Sequence, residues 1–145
     1  MNYKVAILGS TGSIGDTTLN SLYKKRGYKI ILLTAKKNIK KLYSQAVKFN
    51  VKDVIIEDKK SYNTFKKKFR DKNIRLHFSL KNISKILKKR VSYCINSISG
   101  IDGLYPTLKM IPLTQNILIA NKESIICGWN FIERKLKFYK TNFIP

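Results

Sequence analysis

Apolar residues along this chain arrive in short runs separated by polar and glycine-containing stretches. Tyr3 to Leu8, Tyr28 to Thr34, Asp53 to Ile56, Ser92 to Ile98 and Asn116 to Ala120 each carry a compact aliphatic or β-branched block, which predicts five strands. Between them the period changes. Thr17 to Lys25 has a helical composition, and Asn38 to Phe49 sets Ile39, Leu42, Tyr43, Ala46 and Val47 at helical spacing. Ser61 to Phe69 reads as a basic amphipathic helix, Ile83 to Leu87 as a shorter one, Leu104 to Ile111 as another, and Ser124 to Tyr139 as a long final helix.

Strands that alternate with helices pair in parallel through right-handed crossovers, and the helices then cover both faces of an open sheet. The expectation is an α/β doubly wound domain with a mostly parallel sheet. No repeat or low-complexity linker divides it, so residues 1–145 are read as one unit. Ligands of such sheets bind beyond the carboxyl ends of the strands, which directs attention to the residues after Leu8, Thr34, Ile98 and Ala120.

Length and composition agree with one core: 145 residues with 43% hydrophobic content bury one but not two. No apolar run reaches the roughly 20 residues of a membrane span, and the N-terminus leads straight into a strand rather than a signal peptide. A cytoplasmic protein without a membrane partner is expected. The charge is less direct. A net +22, from 30 Lys and Arg against 8 Asp and Glu, admits a nucleic-acid reading through phosphate neutralisation. Yet 25 of the 30 cations are Lys, and Lys, Ile and Asn share A/T-rich codons, so base composition accounts for the excess. The lysines are also spread over many segments, as in Lys24-Lys25, Lys40-Lys41 and Lys66-Lys67-Lys68, which favours solvated faces over a specific nucleic-acid site.

The first strand runs into Gly9-Ser10-Thr11-Gly12-Ser13-Ile14-Gly15. In a strand-turn-helix context the three glycines have different tasks. Gly9 permits a sharp turn, Gly12 removes a Cβ that would hold a pyrophosphate off the backbone, and Gly15 allows the helix to pack closely on the sheet. A turn-and-packing device is the plain alternative, but the position after the first strand favours dinucleotide binding, with Thr11 and Ser13 adding hydroxyls to the helix N–H groups. The second strand ends in Thr34-Ala35-Lys36-Lys37-Asn38, where an NAD site would place an acid. Lys36 and Lys37 would instead attract a 2′-phosphate, pointing to NADP, unless they are two surface lysines of a lysine-rich chain. No Gly-Lys-Ser/Thr ending supports a nucleoside triphosphatase.

Two polar segments follow the later strands, Asn96 to Leu104 and Ala120-Asn121-Lys122-Glu123-Ser124. Lys122 has the charge to hold an anionic substrate, and Asn121 and Glu123 the groups to hydrogen-bond a cofactor. Equally, Asn121 or Ser124 reads as a helix cap with Glu123 in the first turn. Cys94 and Cys127 lack paired spacing and are expected to be buried free thiols. His77 is expected at the surface near a strand, and eight scattered acids offer no hard-cation site.

The motifs ILGSTGSIG near the N-terminus, AxKN after the second strand, GLxPTL from Gly103 to Leu108 and LIANKES from Leu118 to Ser124 occur in this order. Together they resemble the 1-deoxy-D-xylulose 5-phosphate reductoisomerase family over essentially the whole chain. The resemblance implies a Rossmann-like NADPH-binding domain across residues 1–145. It also implies an oxidoreductase of isoprene biosynthesis that isomerises and reduces 1-deoxy-D-xylulose 5-phosphate to 2-C-methyl-D-erythritol 4-phosphate. In such an enzyme, a homodimer when complete, a divalent metal (Mg²⁺, Mn²⁺ or Co²⁺) chelates substrate oxygens. Carried over by residue, the cofactor positions are Thr11, Gly12, Ser13, Ile14, Lys37, Asn38, Asn121 and Glu123, and Lys122 is substrate-binding. Lys36 departs from the family's usual glycine, and its cation is added to the cofactor set. The family's metal-ligating Asp and Glu follow the strand after the final helix, beyond Pro145. The expectation is therefore a fragment without catalytic or metal-ligating residues, the alternative being a truncated, inactive NADPH-binding remnant.

Overall fold

The computed structural model describes residues 1–145. Seven strands form one sheet: β1 (Tyr3–Leu8), β2 (Tyr28–Ala35), β3 (Asp53–Ile56), β4 (Arg75–Phe78), β5 (Val91–Asn96), β6 (Thr114–Ile119) and β7 (Asn142–Ile144). Their order is β4-β3-β2-β1-β5-β6-β7, and every neighbouring pair is parallel. The chain starts in the middle, winds out to β4 and returns past β1 to wind the other way. The reversal lies between β1 and β5, where a doubly wound sheet opens a crevice.

The alternation within β1 explains the layers. Val5 and Ile7 belong to one core, with Leu19 of α1 (Ser13–Tyr23), Leu42 and Ala46 of α2 (Ile39–Lys48) and Phe65 of α3 (Lys59–Lys68). Ala6 and Leu8 belong to the other, with Ile83 of α4 (Ile83–Ile86), Met110 of α5 (Leu104–Met110), and Ile132 and Leu136 of α6 (Lys122–Tyr139). A strand buried on both faces must be apolar throughout, which is why it reads as a run rather than as an alternation. The β1–β2 register slips between Val5 and Ala6, opposite Ile31; there the consecutive Ile31 and Leu32 both pack in the core of Ala6 and Leu8, while Ile30 and Leu33 belong to the other.

The structure differs from the sequence expectation in several places, one being β7, a three-residue edge strand outside the five expected ones. β4 was not anticipated: Arg75-Leu76-His77-Phe78 is short, half polar and at the sheet edge, and so lacks the apolar run that marks an inner strand. His77 accordingly lies within a strand, half-buried against Asp53, rather than beside one. α1 begins at Ser13 instead of Thr17, because the glycine loop itself supplies the first helical turn. Cys94 is buried in β5, where loss of solvent pushes its thiol up, but Cys127 is exposed on α6, since the helix turns that position away from the sheet.

Candidate functional site

The loop after β1 is held from three directions. Gly9 has φ +71°, and its N–H donates to Thr34 Oγ1 at 3.0 Å, while Ser10 N–H donates to the Thr34 carbonyl at 3.0 Å. Buried Gln45 of α2 donates to the Ser10 carbonyl and to Asp16 Oδ1, both at 2.9 Å, and accepts from Ser10 Oγ at 2.9 Å. On the other side Ser97 Oγ lies 2.6 Å from the Leu8 carbonyl and 3.0 Å from that of Gly9. The loop conformation is therefore fixed before any ligand arrives.

The three glycines separate as their spacing suggests. A Cβ on Gly15 would come within 2.7 Å of Ser10 Cα and 2.8 Å of Ser97 Oγ, so only glycine lets α1 sit this close to the loop. A Cβ on Gly12 would meet nothing but the Gly9 carbonyl, at 3.7 Å. The space above Gly12 is open. Gly12 is also the cap residue of α1 and brings no side-chain hydrogen bond, which leaves the first-turn N–H groups and the positive end of the helix dipole facing outward. Such an end suits a phosphate, and the open cradle at Gly12 is where a branched side chain would fill the space a pyrophosphate needs.

A cleft of about 370 Å³ extends from this helix end across the carboxyl ends of β2 and β3. Thr11, Gly12, Lys36, Glu57, Asp102 and Tyr105 are among its lining residues. A second hollow of about 360 Å³ shares Ser97, Ile98 and Ser99 with it and continues past Ile14 to Asn121, Lys122 and Glu123. The topology thus brings the glycine loop, Lys36 and the start of α6 to one crevice on the side of the sheet where α/β ligands bind.

The remaining sequence-predicted residues divide. Ser13 is exposed in the first turn of α1, and Lys37 and Asn38 are exposed after β2; none of the three lines either hollow. Asn38 caps α2 by accepting from Lys41 N–H at 3.3 Å. Asp58 caps α3 by accepting from the Ser61 hydroxyl at 2.7 Å and the Ser61 N–H at 2.9 Å; these bonds, with the charges of Lys37 and Lys36, hold its carboxyl below the ordinary range. Asn121 is buried and bonded at both amide atoms: Oδ1 accepts from Ser124 N–H at 2.9 Å, and Nδ2 donates to the Ile98 carbonyl at 2.7 Å. The capping reading of Asn121 is thus realised, while Lys122 and Glu123 remain exposed at the mouth of the hollow.

Several lining residues were not singled out from the sequence. Glu57, the first residue after β3, faces the cleft and accepts from Leu80 N–H at 2.7 Å. Its position follows from the carboxyl-end rule once β3 is included. Ser97, Ser99 and Asp102 lie in the polar segment after β5, where buried Asn96 shapes the turn by donating to the Gly103 carbonyl at 2.8 Å and to Thr107 Oγ1 at 2.7 Å. Nowhere do three or more His, Cys, Asp or Glu side chains gather as a metal donor set, so a divalent metal does not fit the residues of this chain.

The family model described as 1-deoxy-D-xylulose 5-phosphate reductoisomerase matches residues 5–128. The reductoisomerase of Pelagibacter ubique is 46% identical over 145 residues, which covers 98% of this chain and 37% of that protein. The Buchnera aphidicola protein is 38% identical, again over 98% of this chain and 37% of its own length. Among solved structures, the Zymomonas mobilis reductoisomerase in complex with NADPH superposes with a TM-score of 0.89 at 27% identity, covering all of this chain and 38% of that one. The chain therefore spans little more than a third of the relatives it matches. With the glycine loop, the crevice and the α6 terminus arranged as described, it belongs to the 1-deoxy-D-xylulose 5-phosphate reductoisomerase family.

Proposed function

We propose that residues 1–145 form the NADPH-binding domain of a cytoplasmic reductoisomerase that converts 1-deoxy-D-xylulose 5-phosphate to 2-C-methyl-D-erythritol 4-phosphate. The observation that carries this reading is the uncapped N-terminus of α1 under the open position at Gly12. There the backbone from Thr11 to Ile14 would receive the pyrophosphate, with the Ser13 hydroxyl beside it. Lys36 in the cleft and Lys37 next to it would receive the 2′-phosphate, close to the Asn38 turn. NADPH supplies the hydride when bound. Glu123 and the main chain at Asn121 would face the cofactor in the second hollow, and Lys122 would meet the anionic substrate. Homodimerisation belongs to the complete enzyme in this proposal.

For the 145-residue chain by itself the proposal is cofactor binding without turnover, because no metal donor set is assembled within it. Calorimetric titration with NADPH and NADH is the direct test. Saturable NADPH binding that exceeds NADH binding supports the assignment, and absence of binding to either overturns it. Reduction of 1-deoxy-D-xylulose 5-phosphate by the chain alone would overturn the second statement.

A further inference from the structure

At the opposite end of the sheet, and on the α4 side, lies a cavity of about 670 Å³ that shares no residue with the cofactor crevice. It is lined by Lys4 near the start of β1, Arg75 and His77 of β4, and Lys85, Lys88 and Lys89 on the segment that leads into β5. Its size is that of a small-ligand site. Among so many cations there is one acid, Asp53, and that carboxylate is already committed. Arg75 Nε and Nη2 donate to its two oxygens at 2.8 Å each, and His77 Nε2 lies 2.9 Å from Oδ1.

The arrangement differs from a solvated lysine face. Asp53 is mostly buried, with 17% of its side chain exposed, and it fixes the orientation of a guanidinium and an imidazole along the cavity wall. A bidentate Arg–carboxylate pair is rigid, which lowers the ordering cost of presenting the remaining guanidinium N–H groups. The lysines come from β1 and from the α4 segment, two parts of the chain about 80 residues apart, so their convergence is a product of the fold and not of a local lysine run. The positive charge left over suits an anion with several closely spaced negative groups. A compact anion can meet the cations of β1, β4 and the α4 segment at once, whereas an extended nucleic-acid backbone spreads its charges along a groove.

The geometry points to a second anion site, formed by Lys4, Arg75, Lys85, Lys88 and Lys89, that takes a compact polyphosphate independently of the cofactor crevice. The probe is inorganic tripolyphosphate, titrated into the intact chain by calorimetry at about 0.15 M salt, where loose surface attraction is screened. Three double variants each lower the net charge equally: Lys85→Glu with Lys88→Glu in the cavity, Lys66→Glu with Lys67→Glu on α3, and Lys36→Glu with Lys37→Glu at the cofactor crevice. All six positions are exposed, and circular dichroism establishes that each variant is folded. A milder pair, Lys88→Gln with Lys89→Gln, serves if the first does not fold. The expected result is a loss of at least about tenfold in tripolyphosphate affinity for the cavity variants, with little change for the other two. Equal losses in all three, a larger loss at the crevice, no binding by the parent chain, or tighter binding of a single-stranded oligonucleotide of equal phosphate number would each overturn the proposal.

Discussion

Two helix N-termini face the same crevice, and they are finished in opposite ways. α6 is closed by its own side chain, with Asn121 capping Ser124 N–H and tying the turn to the Ile98 carbonyl. α1 is left open: its cap residue is Gly12, without a side-chain bond, and its position is secured indirectly through Gln45, Thr34 and Ser97. α2 and α3 also carry side-chain caps, from Asn38 and Asp58, so the open end of α1 departs from the way this chain ends its other long helices. A cap contributes about 1 kcal/mol to stability. Leaving one out where the backbone is held rigid by other means is what an anion-binding helix end requires, because the N–H groups must be both fixed and free.

Substitutions can sharpen or break this contrast. The largest effect is expected from Gly15→Ala, whose methyl would press on Ser10 Cα and Ser97 Oγ; overpacking should lower stability by about 3 kcal/mol in denaturant unfolding. An unchanged midpoint would show that the α1 end is less rigidly held than its contacts imply. Asn121→Ala removes a cap and a buried hydrogen bond and should lower stability by about 2 kcal/mol. If NADPH affinity fell in that variant with stability untouched, the closed end would be the one that serves the cofactor. Gly12→Val reverses the pattern. The extended backbone at Gly12 accepts a branched residue, so stability should fall by no more than about 1 kcal/mol, the preference for glycine over valine at a helix cap, while NADPH binding weakens by at least about tenfold.

Smaller still is the expected effect of Lys37→Glu, which should weaken NADPH by severalfold more than NADH; parallel losses would remove the 2′-phosphate assignment. The last prediction lies away from both helix ends. Burial alone would raise the Asp53 carboxyl, but hydrogen bonds from Arg75 and His77 and their charges hold it below its ordinary value. Its contribution to stability is therefore present above the unfolded-state pKa of about 4 and is lost as pH falls below that toward the folded value. Lys4, Lys85, Lys88 and Lys89 line the same cavity. Asp53→Asn should flatten the acid side of the stability–pH curve and leave NADPH affinity unchanged. A change in cofactor binding would mean that the two ends of the sheet are coupled.

Much of this organisation was legible beforehand, for reasons that differ by residue. The inner strands β1, β2, β5 and β6 declare themselves because burial on both faces demands unbroken apolar runs, whereas edge strand β4 has Arg75 and His77 where such a run would be. The glycine loop was readable because each glycine answers a local steric demand between a strand and a helix. α1 starts four residues before the helical composition at Thr17, because Ser13-Ile14-Gly15 has little helix propensity of its own and packing on Ser10 and Ser97 imposes the first turn. Cys127 could not be assigned a face by type alone, since its exposure depends on how α6 is rotated against the sheet.

The sequence by itself determined the parallel doubly wound class, the glycine loop between β1 and α1, and the four ordered motifs that resemble the family, since apolar periodicity, glycine spacing and motifs all act between residues close in the chain. Only the tertiary structure decided that Asn121 spends its amide on Ile98, that Glu57 enters the crevice, and that Arg75 and His77 converge on Asp53 beside lysines from β1 and α4. Each of those outcomes depends on partners more than 20 residues away, and the pairing of such groups is set by strand order and helix packing rather than by any local pattern.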